Sequence, residues 1–102
     1  MARAAFVLKV RPDRIDEYLV AHREVWPEML DAIRAAGIRN YTIFRRATEV
    51  FGYFESDDPE RASKYLADSE VNQRWQTAMA ELLEARVPDG GPDLLEEIFR
   101  LD

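Results

Sequence analysis

The chain has 102 residues, 47% of them hydrophobic and 33% charged, with a formal net charge of −6 at pH 7. That is enough for one domain spanning residues 1–102 with a small core, and the acidic balance excludes the basic stripe that nucleic acid or an anionic membrane surface would require. Cysteine is absent, which excludes disulfides, thiolate nucleophiles and thiolate metal sites and fits a reducing cytoplasm.

No apolar run approaches the roughly 20 residues of a membrane span, and Ala5 to Val10 begins without the build of a signal peptide. Residues 4–11 predict a strand, with Phe6, Leu8 and Val10 alternating against Ala5, Val7 and Lys9. Both sets are largely apolar, so both faces need cover. Pro12-Asp13 ends the strand, and a helical pattern runs from about Asp13 to Ala36. Pro27 interrupts it, because an interior proline loses a hydrogen bond and clashes with the preceding turn; a break is expected near Val25–Trp26. Gly37 is the expected stop.

Residues 38–45 and 49–55 are rich in β-branched and aromatic side chains and predict two strands. The short Arg46-Ala47-Thr48 link makes them an antiparallel hairpin. Asp57-Asp58-Pro59-Glu60 is a helix start, and helix continues to about Glu84 in two pieces joined at Asp68-Ser69. Residues 86–92 are loop by composition, and 94–101 predict a last strand. The order strand, helix, strand, strand, helices, strand is the split βαβ pattern of an α+β, ferredoxin-like fold, an antiparallel sheet with helices on one face. Val50, Gly52 and Phe54 alternate with Phe51 and Tyr53, so the face away from the helices is apolar as well. A second copy is the simplest cover, and a homodimer packed sheet to sheet is expected; cover by the chain's own tail is the alternative.

Tyr18, His22 and Trp26 are spaced four and four apart, which stacks three rings along one side of a continuous helix. His22 is the only histidine, and its unperturbed pKa of about 6.5 suits proton exchange near neutrality. A lone histidine on an apolar helical face is also an ordinary core residue. No histidine or cysteine spacing suggests a metal, no glycine-rich loop opens a helix, and no nucleophilic serine setting is visible. Aromatic rings with hydroxyl and amide edges at Tyr18, Trp26, Tyr41 and Trp75 suit a sugar, whose C–H faces stack and whose hydroxyls want partners; taken singly each is more often a core residue than a ligand wall, and Trp26, beside the proline, reads as structural.

The chain resembles the L-rhamnose mutarotase family. The resemblance is carried by Glu17-Tyr18, His22, Trp26-Pro27-Glu28, Gly37, Asn40-Tyr41, Gln73-Arg74-Trp75 and the closing Glu97, Phe99 and Leu101, which fall in order along nearly the whole chain. It implies a dimeric α/β-barrel type of ferredoxin-like fold and an isomerase that interconverts the anomers of a free sugar without a cofactor. It further implies His22 as the general acid and Tyr18, Tyr41 and Trp75 as sugar-binding residues. The family commonly carries a second tryptophan after the one matching Trp75; here that position is Gln76. The exchange replaces a stacking surface with an amide and leaves L-fucose or another sugar open beside L-rhamnose. A differently active domain of the same fold, such as a small monooxygenase or a regulatory module, is the competing class.

Overall fold

The computed structural model describes residues 2–88 and 91–101, so Asp89 and Gly90 of the predicted loop lie outside the described residues. Strand β1 (Ala2–Lys9) is followed by a single 3-10 turn at Pro12–Arg14 and then by helix α1 (Ile15–Arg23). Helix α2 (Pro27–Ala35) begins where Pro27 takes the first helical position, the one place a missing N–H costs nothing. The expected break is therefore present, and it removes Trp26 from the helix that carries His22. Trp26 caps α2 with extended backbone, φ −54° and ψ 132°, so the three rings do not share one helical side. Gly37 follows α2 in the left-handed region at φ 84° and turns the chain into β2 (Ile38–Arg46).

β2 and β3 (Glu49–Ser56) form the expected hairpin, with Arg46 opposite Glu49 and a 3.1 Å ion pair at its mouth. β3 is the central strand, flanked antiparallel by β1 and β2. Helices α3 (Pro59–Ala67) and α4 (Glu70–Ala80) are the two expected pieces. Ser69 joins them, its hydroxyl accepting from the Asn72 backbone N–H; Asp58 caps α3 in the same way through Arg61. The second piece ends at Ala80, four residues before the predicted Glu84, because Leu82 and Leu83 turn into the core and Leu83 bridges back to Val10.

The predicted strand at 94–101 is not formed. That segment makes one backbone hydrogen bond to β1, Leu95 N–H to the Ala5 carbonyl at 2.7 Å, and an ion pair from Glu97 to Arg3 at 3.6 Å. Its composition favours extended structure, but a strand needs a ladder, and the preference is realised only where neighbours supply one. Ile98, Phe99 and Leu101 are left with 68 to 87% of their surface exposed.

Burial alternates strictly along β3: Val50, Gly52, Phe54 and Ser56 are buried, and the residues between them are half-buried. The buried set, with Ala4, Phe6 and Ile38 from the flanking strands, faces the helices. Two clusters fill that layer, one around Tyr18, Met29, Trp75 and Met79, the other around Ala4, Ile38, Phe54 and Ala62. Gly52 pairs with Phe6, and a Cβ placed on Gly52 would run into the Phe6 ring. The glycine is there to let the ring lie on the sheet. Gly52→Ala should lower stability by about 1–3 kcal/mol through overpacking, read as a lower urea midpoint with an unchanged slope.

Candidate functional site

His22 lies in the last turn of α1, and its Nδ1 is 2.8 Å from the Tyr18 carbonyl oxygen one turn back. A carbonyl only accepts, so Nδ1 carries the proton and the lone pair of a neutral ring resides on Nε2. The Tyr18 ring stacks on the imidazole, with centroids 4.3 Å apart and planes at 29°. Trp75, from α4, meets the imidazole edge-on at 5.5 Å and 80°, and meets Trp26 edge-on at 5.1 Å and 89°. The imidazole is thus held by a hydrogen bond, a stacked face and a perpendicular wall. Trp26 belongs to this packing at one remove, which agrees with a structural role.

A cavity of about 1350 Å³ opens beside this group, and His22, Tyr41, Trp75 and Gln76 all line it. It exceeds the roughly 300–1,000 Å³ of an ordinary small-molecule site, so a single sugar ring would fill only part of it. Trp75 is 7% exposed, so what it offers is a narrow edge of wall rather than an open platform. Tyr18 is buried behind His22 and is not among the lining residues; the structure brings it to the imidazole but not to the cavity surface. Tyr41, from β2, stacks on Phe54 at 5.6 Å and 24° and meets the edge of Phe6 at 6.3 Å.

Gln76 faces the cavity with a defined amide orientation. Asn72, buried in α4, donates Nδ2–H to the Leu66 carbonyl at 3.0 Å. Its Oδ1 is then the atom that accepts from Gln76 Nε2, at 3.3 Å. Gln76 keeps its Oε1 as an acceptor. Sequence reasoning missed Asn72; the only signal was its position four residues before Gln76 on the same helix face.

Burial acts on the three titratable rings in opposite senses and leaves all of them uncharged. It lowers the His22 pKa below 6.5, partly offset by the bond to the Tyr18 carbonyl. It raises the Tyr18 phenol to about 12. It raises the Tyr41 phenol too, with a smaller contribution from Tyr18, although 39% of the Tyr41 surface is still open to solvent, which limits the rise. Among the described residues no three potential metal ligands cluster.

Because the folded state disfavours the imidazolium, the unfolded chain takes up the proton first as pH falls. Stability contributed by His22 is complete above about pH 6.5 and is lost progressively below it. An NMR titration of the single histidine should give a pKa below that of a free histidine peptide. A value at or above 6.5 would contradict the desolvated environment.

A protein-family model described as L-rhamnose mutarotase matches residues 3–101. The L-rhamnose mutarotase of Oceanobacillus iheyensis is 36% identical over 105 aligned positions, and that of Bacillus subtilis 39% identical over 106, each covering all of both chains. The crystal structure of an L-rhamnose mutarotase from Formosa agariphila superposes with a TM-score of 0.80 at 26% identity, over the full length of both chains. Tetracenomycin F2 cyclase from Streptomyces glaucescens superposes at 0.64 with 18% identity, over all of this chain and 98% of that one, which shows a shared fold alone. The chain belongs to the L-rhamnose mutarotase family.

Proposed function

We propose that the protein is a sugar mutarotase that interconverts the α and β anomers of free L-rhamnose, with His22 moving the proton. The single observation that carries this reading is the fixed tautomer of His22 at the cavity wall, which leaves Nε2 as its reactive nitrogen. The lowered pKa makes the imidazole neutral at pH 7, so it acts first as a base. Nε2 takes the proton from the anomeric hydroxyl O1, the C1–O1 bond becomes a carbonyl, and the electrons of the C1–O5 bond pass to O5. O5 takes up a proton, which the imidazolium can return because O1 and O5 share the carbon C1. The C1–C2 bond rotates, and the same steps in reverse close the ring on the other face. His22 is thus the acid implied by the family resemblance, but only after it has been the base.

Tyr41, partly exposed at the cavity, contributes a phenol that is protonated at neutral pH and so can donate its hydroxyl to a sugar oxygen. Tyr18 supports the imidazole from behind, and Trp75 closes the wall. No electron or group leaves the sugar, so the chemistry calls for no cofactor. L-Fucose is the second reading, and Gln76 Oε1 favours it: an amide acceptor at the wall suits a sugar that presents a hydroxyl there, and the two sugars differ in hydroxyl orientation. The cysteine-free composition fits a cytoplasmic enzyme acting on a free sugar.

Exchange-spectroscopy NMR on L-rhamnose and L-fucose tests the reading directly. The protein should accelerate anomeric exchange of one or both, and His22→Ala should lower the enzymatic rate by about 10²–10⁴-fold with the fold retained. The wild-type rate should fall on the acid side as the imidazole is protonated. Wild-type exchange at the uncatalysed rate would remove the function, and an unaffected His22→Ala would remove the mechanism.

We also propose the homodimer. Phe44 is 65% exposed on the face of the sheet away from the helices, with Phe51 and Tyr53 half-buried beside it, and the apolar tail at 94–101 is open to solvent. A second copy would cover these surfaces. Sedimentation at low micromolar concentration should give about twice the chain mass; a stable monomer there would refute the assembly.

A further inference from the structure

We propose that Asn40 is the positioning residue of Tyr41: a β-bulge built on its left-handed backbone turns the phenol from the outer face of the sheet into the cavity. The inference rests on the functional reading only where it concerns the sugar; the placement of Tyr41 is independent of it.

Between the pairs Arg39↔Glu55 and Thr42↔Tyr53, strand β2 uses two residues, Asn40 and Tyr41, against the single residue Phe54 of β3. Side chains alternate faces along a strand, so the extra residue reverses the phase of everything beyond it. Ile38 faces the helices before the bulge, and Ile43, paired with Gly52, faces them after it. In unbroken alternation Ile38 would be followed on that face by residues 40 and 42, and Tyr41 would point outward. With the bulge, Tyr41 stacks on Phe54 and meets the edge of Phe6 on the cavity side.

Asn40 has the backbone the bulge requires, at φ 52°. Asparagine is among the few residues enriched there, and a β-branched residue is an outlier. Its side chain holds the bulge to the outer face: Nδ2–H donates to Glu55 Oε1 at 2.9 Å, while Tyr53 O–H donates to Glu55 Oε2 at 2.6 Å. Asn40 also contributes to the cavity lining, so the bulge joins a residue whose amide is tied to Glu55 to a neighbour whose ring is stacked on Phe54.

The test compares Asn40→Val, which disfavours the left-handed backbone, with Asn40→Gly, which accepts it but lacks the side chain. The first readout is the Tyr41 phenol titration in protein with ring-¹³C-labelled tyrosine, assigned through Tyr41→Phe. Asn40→Val should return the Tyr41 pKa to about 10, the ordinary tyrosine value, while Asn40→Gly keeps it raised. The second readout is kcat/KM for anomeric exchange. Asn40→Val should lose about three- to tenfold in the wild-type background and less than twofold in Tyr41→Phe, and Asn40→Gly should restore most of the loss. If Asn40→Val does not fold, Asn40→Ala, which strains the position less, takes its place in both readouts. A Tyr41 phenol that stays raised in the strained variant, or a full loss of rate in the Tyr41→Phe background, overturns the proposal. A wild type that exchanges no sugar overturns the function instead, and the phenol titration still decides the bulge.

Discussion

The bond from the imidazole Nδ1–H to the Tyr18 carbonyl is the interaction on which the site depends. It joins two residues one helical turn apart, so α1 supplies both the imidazole and its orienting partner from nine residues of chain. The end of that helix matters as much. Pro27 forces a new start, α1 closes at Arg23, and His22 falls in its last turn, beside Trp75 from α4. A helix continuous to Ala35 would have kept Trp26 in line with His22 and left the imidazole roughly three and a half turns from its C-terminal end.

The three rings around His22 are uncharged although the chain carries a formal charge of −6 and Arg34, Arg39, Asp68 and Arg86 line the wider cavity. One cause, removal from water, pushes the imidazole down and the phenols up, so acid and base groups alike are neutral near pH 7. A free sugar is neutral, and its opening separates charge only in passing. Groups that are neutral at rest and polar at their edges can exchange protons with such a substrate without holding a counter-ion in the cavity.

Most of the architecture was legible in the sequence because it is written in short-range signals. Proline at a helix start, glycine after a helix end, a three-residue link between two β-rich runs and the Asp and Ser caps each act within one turn of chain. Tyr18, His22, Tyr41, Trp75 and Gln76 could be nominated from residue type and family resemblance, and all but Tyr18 line one cavity. What escaped was relational. The 94–101 segment has strand composition, but whether it pairs depends on a partner rather than on itself. Trp26 keeps helical spacing with His22, but spacing cannot tell whether the helix between them survives. The phase reversal at Asn40 was invisible because a bulge is defined against the opposite strand, and Asn72 matters only through the amide it orients.

The order of the strands bears on how the molecule comes to exist. β2 and β3 are joined by a tight link and can pair early, since little chain entropy is lost in closing so short a loop. β1 lies on the other side of β3, and about 40 residues separate Lys9 from its partner Glu49. That pairing has high contact order and belongs to the slow part of folding. The cavity draws on all three strands, on all four helices and on the segment that follows them, so the part made by the hairpin can be in place while the rest has yet to arrive. Nascent chains would then display Phe54 and Tyr41 with nothing across from them, a transient stickiness that hairpin-first assembly brings with it.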